Sequence, residues 1–351
     1  MESTQNIRHE AIKTFVAELF TKGRMKEEDA VWFAETIVHA NLRGIDSHGI
    51  LRVPDYFARI LCGAINPRPD LKLTHLAPAV TLVDADDAAG CVSAKKAMEC
   101  ALKNAEKYGV GIAGVKNSNH FGAAAEYAQI AVNRGMVGIA MTNVPPLIGV
   151  PGVRTKLVGN NPVAIGIPTY SEYPFMLDMS MSVVAEGKLR FAAAKGAKIP
   201  TFWAADANGN PTDDPEVALK GFLLPMGSFK GLGLAYVVDV LSGVITSGIF
   251  ADKIRSMYRN PTEPGKTGHM MIAINLSAFL TPDEMKARMK YYHEYLEAVP
   301  LAEGALPLCF PGEVEHNCEL ERLRNGIPVP DATMERLEAL RGKYNVLAKL
   351  R

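Results

Sequence analysis

The sequence predicts an α/β protein, and three observations carry that expectation. Segments with apolar residues at helical spacing alternate, through the first half, with short apolar runs of strand length. At 351 residues the chain has room for two domains, or for one large domain with an attached lobe. Its composition, 48% hydrophobic and 22% charged, is that of a soluble globular protein, with no internal repeat or low-complexity tract.

The elements follow in chain order. Residues 5 to 22 and 26 to 41 carry apolar side chains at helical spacing: Ile12, Phe15, Val16 and Leu19, then Ala30, Phe33, Ala34, Ile37 and Val38. The polar segment RGIDSHG separates them from VPDYFARIL, a third helix that Gly63 ends. LKLTHL and AVTLVDAD alternate as strands do, and residues 92 to 108 form an Ala- and Lys-rich helix terminated by Gly109. YGVGIAGVKN reads as a strand, GAAAEYAQIAVNRG as a helix and MVGIAMTNV as a buried strand. NPVAIGIPT and FMLDMS are further strands, and residues 200 to 225 are loop-rich around NGNPTDDP. GLGLAYVVDVLSGVITSG is a long apolar helix, buried by its composition, and HMMIAINLSAFL a central strand. TPDEMKARMKYYHEYLEAV opens with a capping box, Thr281 with Glu284, and has Pro282 at its first helical position. A last helix, from about 331 to 350, is a separate C-terminal element.

Composition also narrows function. Lys+Arg and Asp+Glu are 38 each, so no charge imbalance favours nucleic acid or an anionic membrane. The five cysteines form no C-x-x-C pair or zinc-finger spacing, which points to reduced thiols in a cytosolic protein. No H-E-x-x-H or other close His/carboxylate set suggests a metal. MESTQNIRHEAIK lacks the apolar core of a signal peptide, and no run of about 18 apolar residues occurs. A cytoplasmic location is expected.

The familiar catalytic signatures are absent or misplaced. GVGIAG, residues 109 to 114, matches G-x-G-x-x-G, but a helix precedes these glycines and a strand follows them. A phosphate loop needs the reverse order, so that pyrophosphate meets a helix N-terminus. There is no G-x-S-x-G elbow and no G-x-x-x-x-G-K-[ST]. Two histidines stand at element ends, where binding groups concentrate: His48 between Ser47 and Gly49, and His120 in NSNHFGAAA. The helix start around Gly122 to Ala124 could hold an anion, or Asn117 or Ser118 could simply cap it. Arg52 follows His48 by four residues, so a helix begun at Gly49 would place both on one face. A proton-exchanging histidine beside an arginine that clamps a carboxylate suits interconversion of a 2-oxo and a 2-hydroxy acid. Such pairs are also commonly just solvated. Asp178, Ser180 and Ser182 end an apolar strand, and GSFKGLG places Lys230 in a glycine-rich turn suited to a phosphate or to tight packing.

Six blocks in order, RGIDSHGILRVPDY, NSNHFGAAAEYA, GNNPVAIGIP, DMSMSVVAEGK, GSFKGLGLAYVVDVLSG and FPGE, resemble the malate/L-lactate dehydrogenase family of the second type. This family, also called sulfolactate dehydrogenase-like, is unrelated to Rossmann lactate dehydrogenases, and the resemblance spans about residues 7 to 345. It implies a homodimeric NAD- or NADP-dependent oxidoreductase with a non-Rossmann mixed-sheet cofactor domain and a helical N- and C-terminal lobe. The implied division is 1–70, carrying the SHG/Arg motif and packing with 285–351, and 71–284 as the NAD(P)-binding domain.

Carried over by position, the resemblance makes His48 the proton donor and acceptor, oriented by Ser47, with His120 the catalytic base in some relatives. Arg52 would bind the substrate carboxylate, helped by Asn160. His120, Phe121, Gly122, Ala123 and Ala124 would lie against the cofactor. Asp178, Met179 and Ser180 would contact its nicotinamide half, Lys230 its phosphate or ribose region, and Pro311, Gly312 and Glu313 its adenosine end. Three departures stand out. Asn160 replaces a frequent Thr, Phe229 makes the glycine turn bulkier, and Lys188 stands where some relatives carry an acidic residue that assists the histidine. There Lys188 would depress the histidine pKa or bind an acidic substrate. The expected substrate is a small malate- or lactate-like acid. A cyclic imino acid (piperideine- or pyrroline-2-carboxylate), a diketo sugar acid or a ureidoglycolate-type acid is the alternative within the family. A non-catalytic binding protein is the alternative outside it.

Overall fold

The computed structural model describes residues 3–350. Strand β1 (Thr4–Ile7) precedes three helices, α1 (His9–Lys22), α2 (Glu27–Leu42) and α3 (Val53–Leu61). Then come β2 (Lys72–Ala77), β3 (Val80–Asp84), α4 (Gly90–Tyr108), β4 (Val110–Ser118), α5 (Ala125–Val132), β5 (Met136–Thr142), β6 (Val163–Ile167) and β7 (Phe175–Met179). The second half adds α6 (Glu186–Ala194), β8 (Ala204–Ala205), α7 (Pro215–Lys220), β9 (Phe222–Leu223), α8 (Phe229–Asp239) and β10 (Thr267–Asn275). It ends with α9 (Pro282–Glu297), α10 (Glu313–Asn325), β11 (Ile327–Pro330) and α11 (Asp331–Tyr344).

Seven strands form one sheet in the order β2-β3-β4-β10-β5-β6-β7. Only β3 and β4 run parallel; every other neighbouring pair is antiparallel. The sheet is therefore mixed, and the apolar run of β10 sits at its centre because strands flank it on both sides. The glycines of GVGIAG serve this packing. Gly109 ends α4 in the left-handed region, and a Cβ on Gly111 would lie 1.9 Å from the Ala101 carbonyl of α4.

One core joins the terminal helices to the sheet. Phe15, Phe20, Phe33, Tyr56 and Phe57 of α1–α3 are continuous with Ala94, Met98 and Ala101 of α4 and with Tyr127 and Ala128 of α5. The chain ends meet here: β1 pairs antiparallel with β11, α10 lies on α2, and α11 packs against α1 and α3. Residues 5 to 22 are thus not one helix. Apolar spacing marks α1, but residues 4–7 are taken by tertiary pairing with 327–330.

The expectation that the long apolar helix is buried does not hold in this chain. Ala235 and Val238 of α8 pack on Met141 and Met270 of the sheet, while Leu234, Tyr236, Val237, Val240, Val244 and Ile245 face outward. A helix apolar all round needs cover on every side, and the sheet covers only one. Helix α9 has no buried residue and exposes Tyr291, Tyr292 and Tyr295. Helices α6 and α10, absent from the sequence reading, carry weak amphipathic patterns that periodicity passes over.

Buried Arg59 of α3 clasps the segment before β10. Its guanidinium donates to the carbonyls of Asn260, Pro261 and Glu263 at 3.0–3.3 Å and to Asn119 Oδ1 at 2.9 Å. Removing the donors would take the partner from the buried Asn119 acceptor, at about 1–3 kcal/mol, and from three part-buried carbonyls at a smaller cost each. Arg59→Met is expected to lower unfolding stability by about 3 kcal/mol or more, read as a fall in the denaturant midpoint. A change below about 0.5 kcal/mol would show that the clasp is not structural.

Candidate active site

Segment 43–52 leaves α2 without continuing as a helix. Two 3₁₀ turns, Asp46–His48 and Ile50–Arg52, break at Gly49 before α3 begins. His48 and Arg52 therefore do not share an α-helical face, as their spacing alone suggested. The break is built by Asn41, whose Oδ1 accepts from Ile50 N–H at 2.7 Å and whose amide donates to Asp46 at 2.6 Å. A Cβ on Gly49 would sit 2.2 Å from that side chain. Arg322 of α10 closes the clamp with a two-pronged pair to Asp46, at 2.6 and 3.0 Å. Arg52 instead folds back, its Nε donating to the Ser47 carbonyl at 2.8 Å.

This turn delivers its histidine to the loop after β4. The His48 and His120 rings stack with centroids 5.5 Å apart and planes 13° from parallel. Ser47 Oγ lies 2.9 Å from His48 Nδ1. Tyr56 Oη lies 2.7 Å from His120 Nδ1, and Gly122 N–H reaches the same nitrogen at 3.4 Å. The amide can only donate, and burial holds the Tyr56 phenol protonated, so Nδ1 is an acceptor. The His120 proton then belongs on Nε2, by inference from this network. Asn119, beside it, is fully engaged: its amide donates to the carbonyls of Ala64, Asp87 and Ala88, and its Oδ1 accepts from Arg59 and Gly265. Neither Asn117 nor Ser118 caps α5. Asn117 bonds Asp84 and Ser118 bonds Ser93 and His269, and it is Asp178 that accepts the Ala125 N–H, at 2.9 Å.

A cavity of about 690 Å³ opens on this cluster, within the range of small-molecule sites. Ser47, His48, Arg52, His120 and Asn160 all line it, joined by Arg59, Asn119, Lys156, Tyr258 and Arg259. The Arg52 guanidinium lies over the Tyr258 ring, 5.2 Å from its centroid. Asn160 is tied to the strand end that carries Asp178, because its carbonyl accepts from Met181 N–H at 2.8 Å. Met181 in turn accepts from Met226 N–H, which brings the GSFKGLG turn to the same rim. Pro311 accepts from Met176 N–H on the open edge of β7, so Pro311, Gly312 and Glu313 lie further along it. Lys230 and Lys188 are exposed and are not among the lining residues, although Glu186, Gly187 and Arg190 of α6 are. Tyr56, Asn119, Lys156 and Arg259 escaped the sequence reading, since nothing local distinguishes them from ordinary surface or core residues.

Burial, and then the Arg52 charge, lower the His48 pKa to about 4. Burial and the facing His48 hold His120 well below the usual histidine range. Both rings are therefore neutral at pH 7, and stacking disfavours charging both at once. Burial raises Asp178 to about 6 against the Ala125 N–H that favours its carboxylate, with Glu126 adding to the rise.

A family model described as malate/L-lactate dehydrogenase matches residues 7–338. An L-sulfolactate dehydrogenase of Methanocaldococcus jannaschii is 38% identical over 310 residues, covering 88% of this chain and 89% of that protein. A malate dehydrogenase of Pyrococcus abyssi is 35% identical over 353 residues, covering 98% and 96%. The crystal structure of a malate dehydrogenase from Entamoeba histolytica superposes with a TM-score of 0.92 at 30% identity, covering 98% and 99%. Fold and cavity together define a mixed-sheet α/β protein whose site pairs two neutral histidines with an arginine. The chain belongs to the malate/L-lactate dehydrogenase family.

The lowered histidine pKa values can be read directly. Ring resonances of His48 and His120 are expected to stay in the neutral form from pH 8 down to 5, His48 charging near pH 4. Arg52→Met should move the His48 midpoint upward, because it removes one of the two depressing causes. A His48 midpoint near 6.5 in the intact protein would show a hydrated, unperturbed ring.

Proposed function

We propose that the chain is a cytoplasmic, NAD- or NADP-dependent 2-hydroxy acid dehydrogenase acting on a small malate- or lactate-like acid. The observation that carries this reading is the stacked His48–His120 pair beside Arg52 in one cavity. The five free thiols suit a reducing compartment. Among the described residues no helix is long and apolar enough to cross a membrane, and no cluster could hold a metal ion.

In this reading Arg52 holds the substrate carboxylate as a bidentate partner and Asn160 helps to orient it. Anion binding there neutralises the charge that depresses His48, so the imidazolium becomes accessible when substrate is present. His48 then carries the proton to or from the 2-oxygen, with Ser47 orienting its ring. His120, its proton on Nε2, donates a hydrogen bond to the same oxygen and shares the acid/base work. A bound nicotinamide supplies or removes the hydride at the 2-carbon. The residues fit such a cofactor. The rim from Asn160 through Asp178, Met179 and Ser180 to the Lys230 turn is continuous, and Pro311 to Glu313 extend it along β7. His120, Phe121, Gly122, Ala123 and Ala124 face that rim through the Ala125–Asp178 bond. In this reading the N-terminal segment presents His48 and Arg52, and the 71–284 unit supplies His120, Asn160 and most of the cofactor rim, which Pro311 to Glu313 extend. Lys188 stands outside the cavity lining, so its contribution would be a long-range charge.

We further infer a homodimer in which the outward apolar faces of α8 and α9 are covered by a second copy. Leu234, Tyr236, Val237, Tyr291 and Tyr295 make these faces apolar beyond what a lone surface needs. Light scattering should give twice the 38.0 kDa chain mass, and a monomer would overturn this inference. Activity is tested with reduced NAD and NADP against a panel of 2-oxo and cyclic imino acids, followed by nicotinamide absorbance. Turnover of 2-oxo acids is expected, with His48→Ala slowing it by about 100-fold or more. Near-normal turnover in His48→Ala, with His120→Ala inactive, would move the proton transfer to His120. No absorbance change with any acid would overturn the dehydrogenase reading.

A further inference from the structure

His269 is a buried titratable group that the proposed chemistry leaves unused. It stands in β10, the central strand, fully buried and opposite Val115 of β4 and Thr142 of β5. Burial lowers its pKa to about 3, against a Gly268 backbone hydrogen bond that favours charge, so the ring is neutral. Both ring nitrogens are paired. Nδ1 lies 2.7 Å from Thr142 Oγ1, and Nε2 lies 2.8 Å from Ser118 Oγ. The Thr142 hydroxyl donates to the Gly268 carbonyl at 2.9 Å, so by inference Nδ1 carries the ring proton and Nε2 accepts from Ser118. Hydroxyls at the ends of β4 and β5 thus fix the plane of this imidazole.

That plane supports Phe121. The two rings stack with centroids 4.8 Å apart and planes 17° from parallel. Tyr127 of α5 also packs on the Phe121 ring at 4.8 Å, and its hydroxyl donates to the Phe121 carbonyl. Phe121 joins His120 to Gly122, whose amide reaches His120 Nδ1 at 3.4 Å. On the other side of His120, Asn119 is bonded to the carbonyls of Ala64, Asp87 and Ala88. His120 is therefore suspended between two anchors, and its ring faces His48 at 5.5 Å. An aliphatic side chain would fill the His269 position without needing hydrogen bonds. A ring bonded at both nitrogens offers what an aliphatic cannot, a stacking face of fixed orientation.

We propose that His269 is a positioning residue: its doubly anchored ring fixes Phe121 and, through it, the His120 ring against His48. The inference rests on the dehydrogenase reading of that histidine pair. Proton transfer at the pair requires reacting groups held to within a fraction of an ångström, so a shift of the His120 loop acts on turnover more than on acid binding.

The test uses three variants. In His269→Leu, Ser118 and Thr142 keep Ser93 and the Gly268 carbonyl as partners, so neither hydroxyl is orphaned. Its kcat with the best-used 2-oxo acid is expected to fall by about 10-fold or more, with the acid KM within about 2-fold, because Arg52 sits on a separate turn. Phe121→Leu, which removes the other half of the stack, should show the same fall in kcat. His269→Phe returns a ring to the stack and should recover most of the lost kcat. Ring resonances of His48, assigned by their loss in His48→Ala, should shift in both leucine variants as the facing His120 ring moves, and should return in His269→Phe. A folded His269→Leu with unchanged kcat and unchanged His48 resonances overturns the proposal. Equal losses in His269→Leu and His269→Phe also overturn it, by making the residue a general packing element. If the intact protein turns over no acid, the dehydrogenase reading has failed, and the His48 resonances still decide the positioning role.

Discussion

The site depends on the hydrogen bonds between Arg59 and Asn119. Asn119 reaches three carbonyls, at Ala64, Asp87 and Ala88, while its Oδ1 accepts from Arg59 and from the Gly265 amide. Those partners come from the end of α3, the approach to α4 and the approach to β10. One buried amide therefore fixes the loop that carries His120 relative to the helix that carries Tyr56 and follows the turn of Arg52. The approach is so close that a Cβ at Gly90 would sit 2.3 Å from the Asn119 carbonyl. Buried polar groups of this kind rigidify when fully satisfied, and every polar atom of the Asn119 side chain has a partner.

Rigid placement matters to the proposed chemistry, which would use depressed basicity. His48 and His120 are both neutral when the cavity lacks an anion, and Arg52 contributes to holding His48 so. A carboxylate bound at Arg52 would remove that contribution and so couple proton affinity to occupancy. The stacked arrangement disfavours a second proton on the pair once one ring is charged. Tyr56 and the Gly122 amide then distinguish two otherwise similar rings by setting the His120 tautomer.

Much of the framework was legible in the residues. Apolar spacing located α1, α2 and α3, the alternation of LKLTHL and AVTLVDAD marked the edge hairpin, and the unbroken apolar run of HMMIAINLSAFL identified the central strand. The order of elements around GVGIAG excluded a Rossmann turn, and the packing of Gly111 on α4 supplies the reason for the glycines. Legibility failed where a partner distant in sequence decides. Residues 4–7 look helical until 327–330 pair with them, and α8 looks like core until the sheet is seen to cover only one side. His48 and Arg52 do line one cavity, but Asn41 and Gly49 break the helix that was to align them.

By itself the sequence determined the seven strands of the main sheet and most of the long helices, the exclusion of the common nucleotide loops, and the family, because periodicity and ordered motifs are local properties of the chain. Tertiary structure alone decided which histidine meets which partner, that Asp178 rather than Asn117 or Ser118 caps α5, and that Lys156 and Arg259 line one cavity with His48 and His120. The physical reason is common to all three. Hydrogen bonds and charge pairs depend on separations of a few ångströms, and such separations between remote residues exist only once the sheet and its helices have closed on one core.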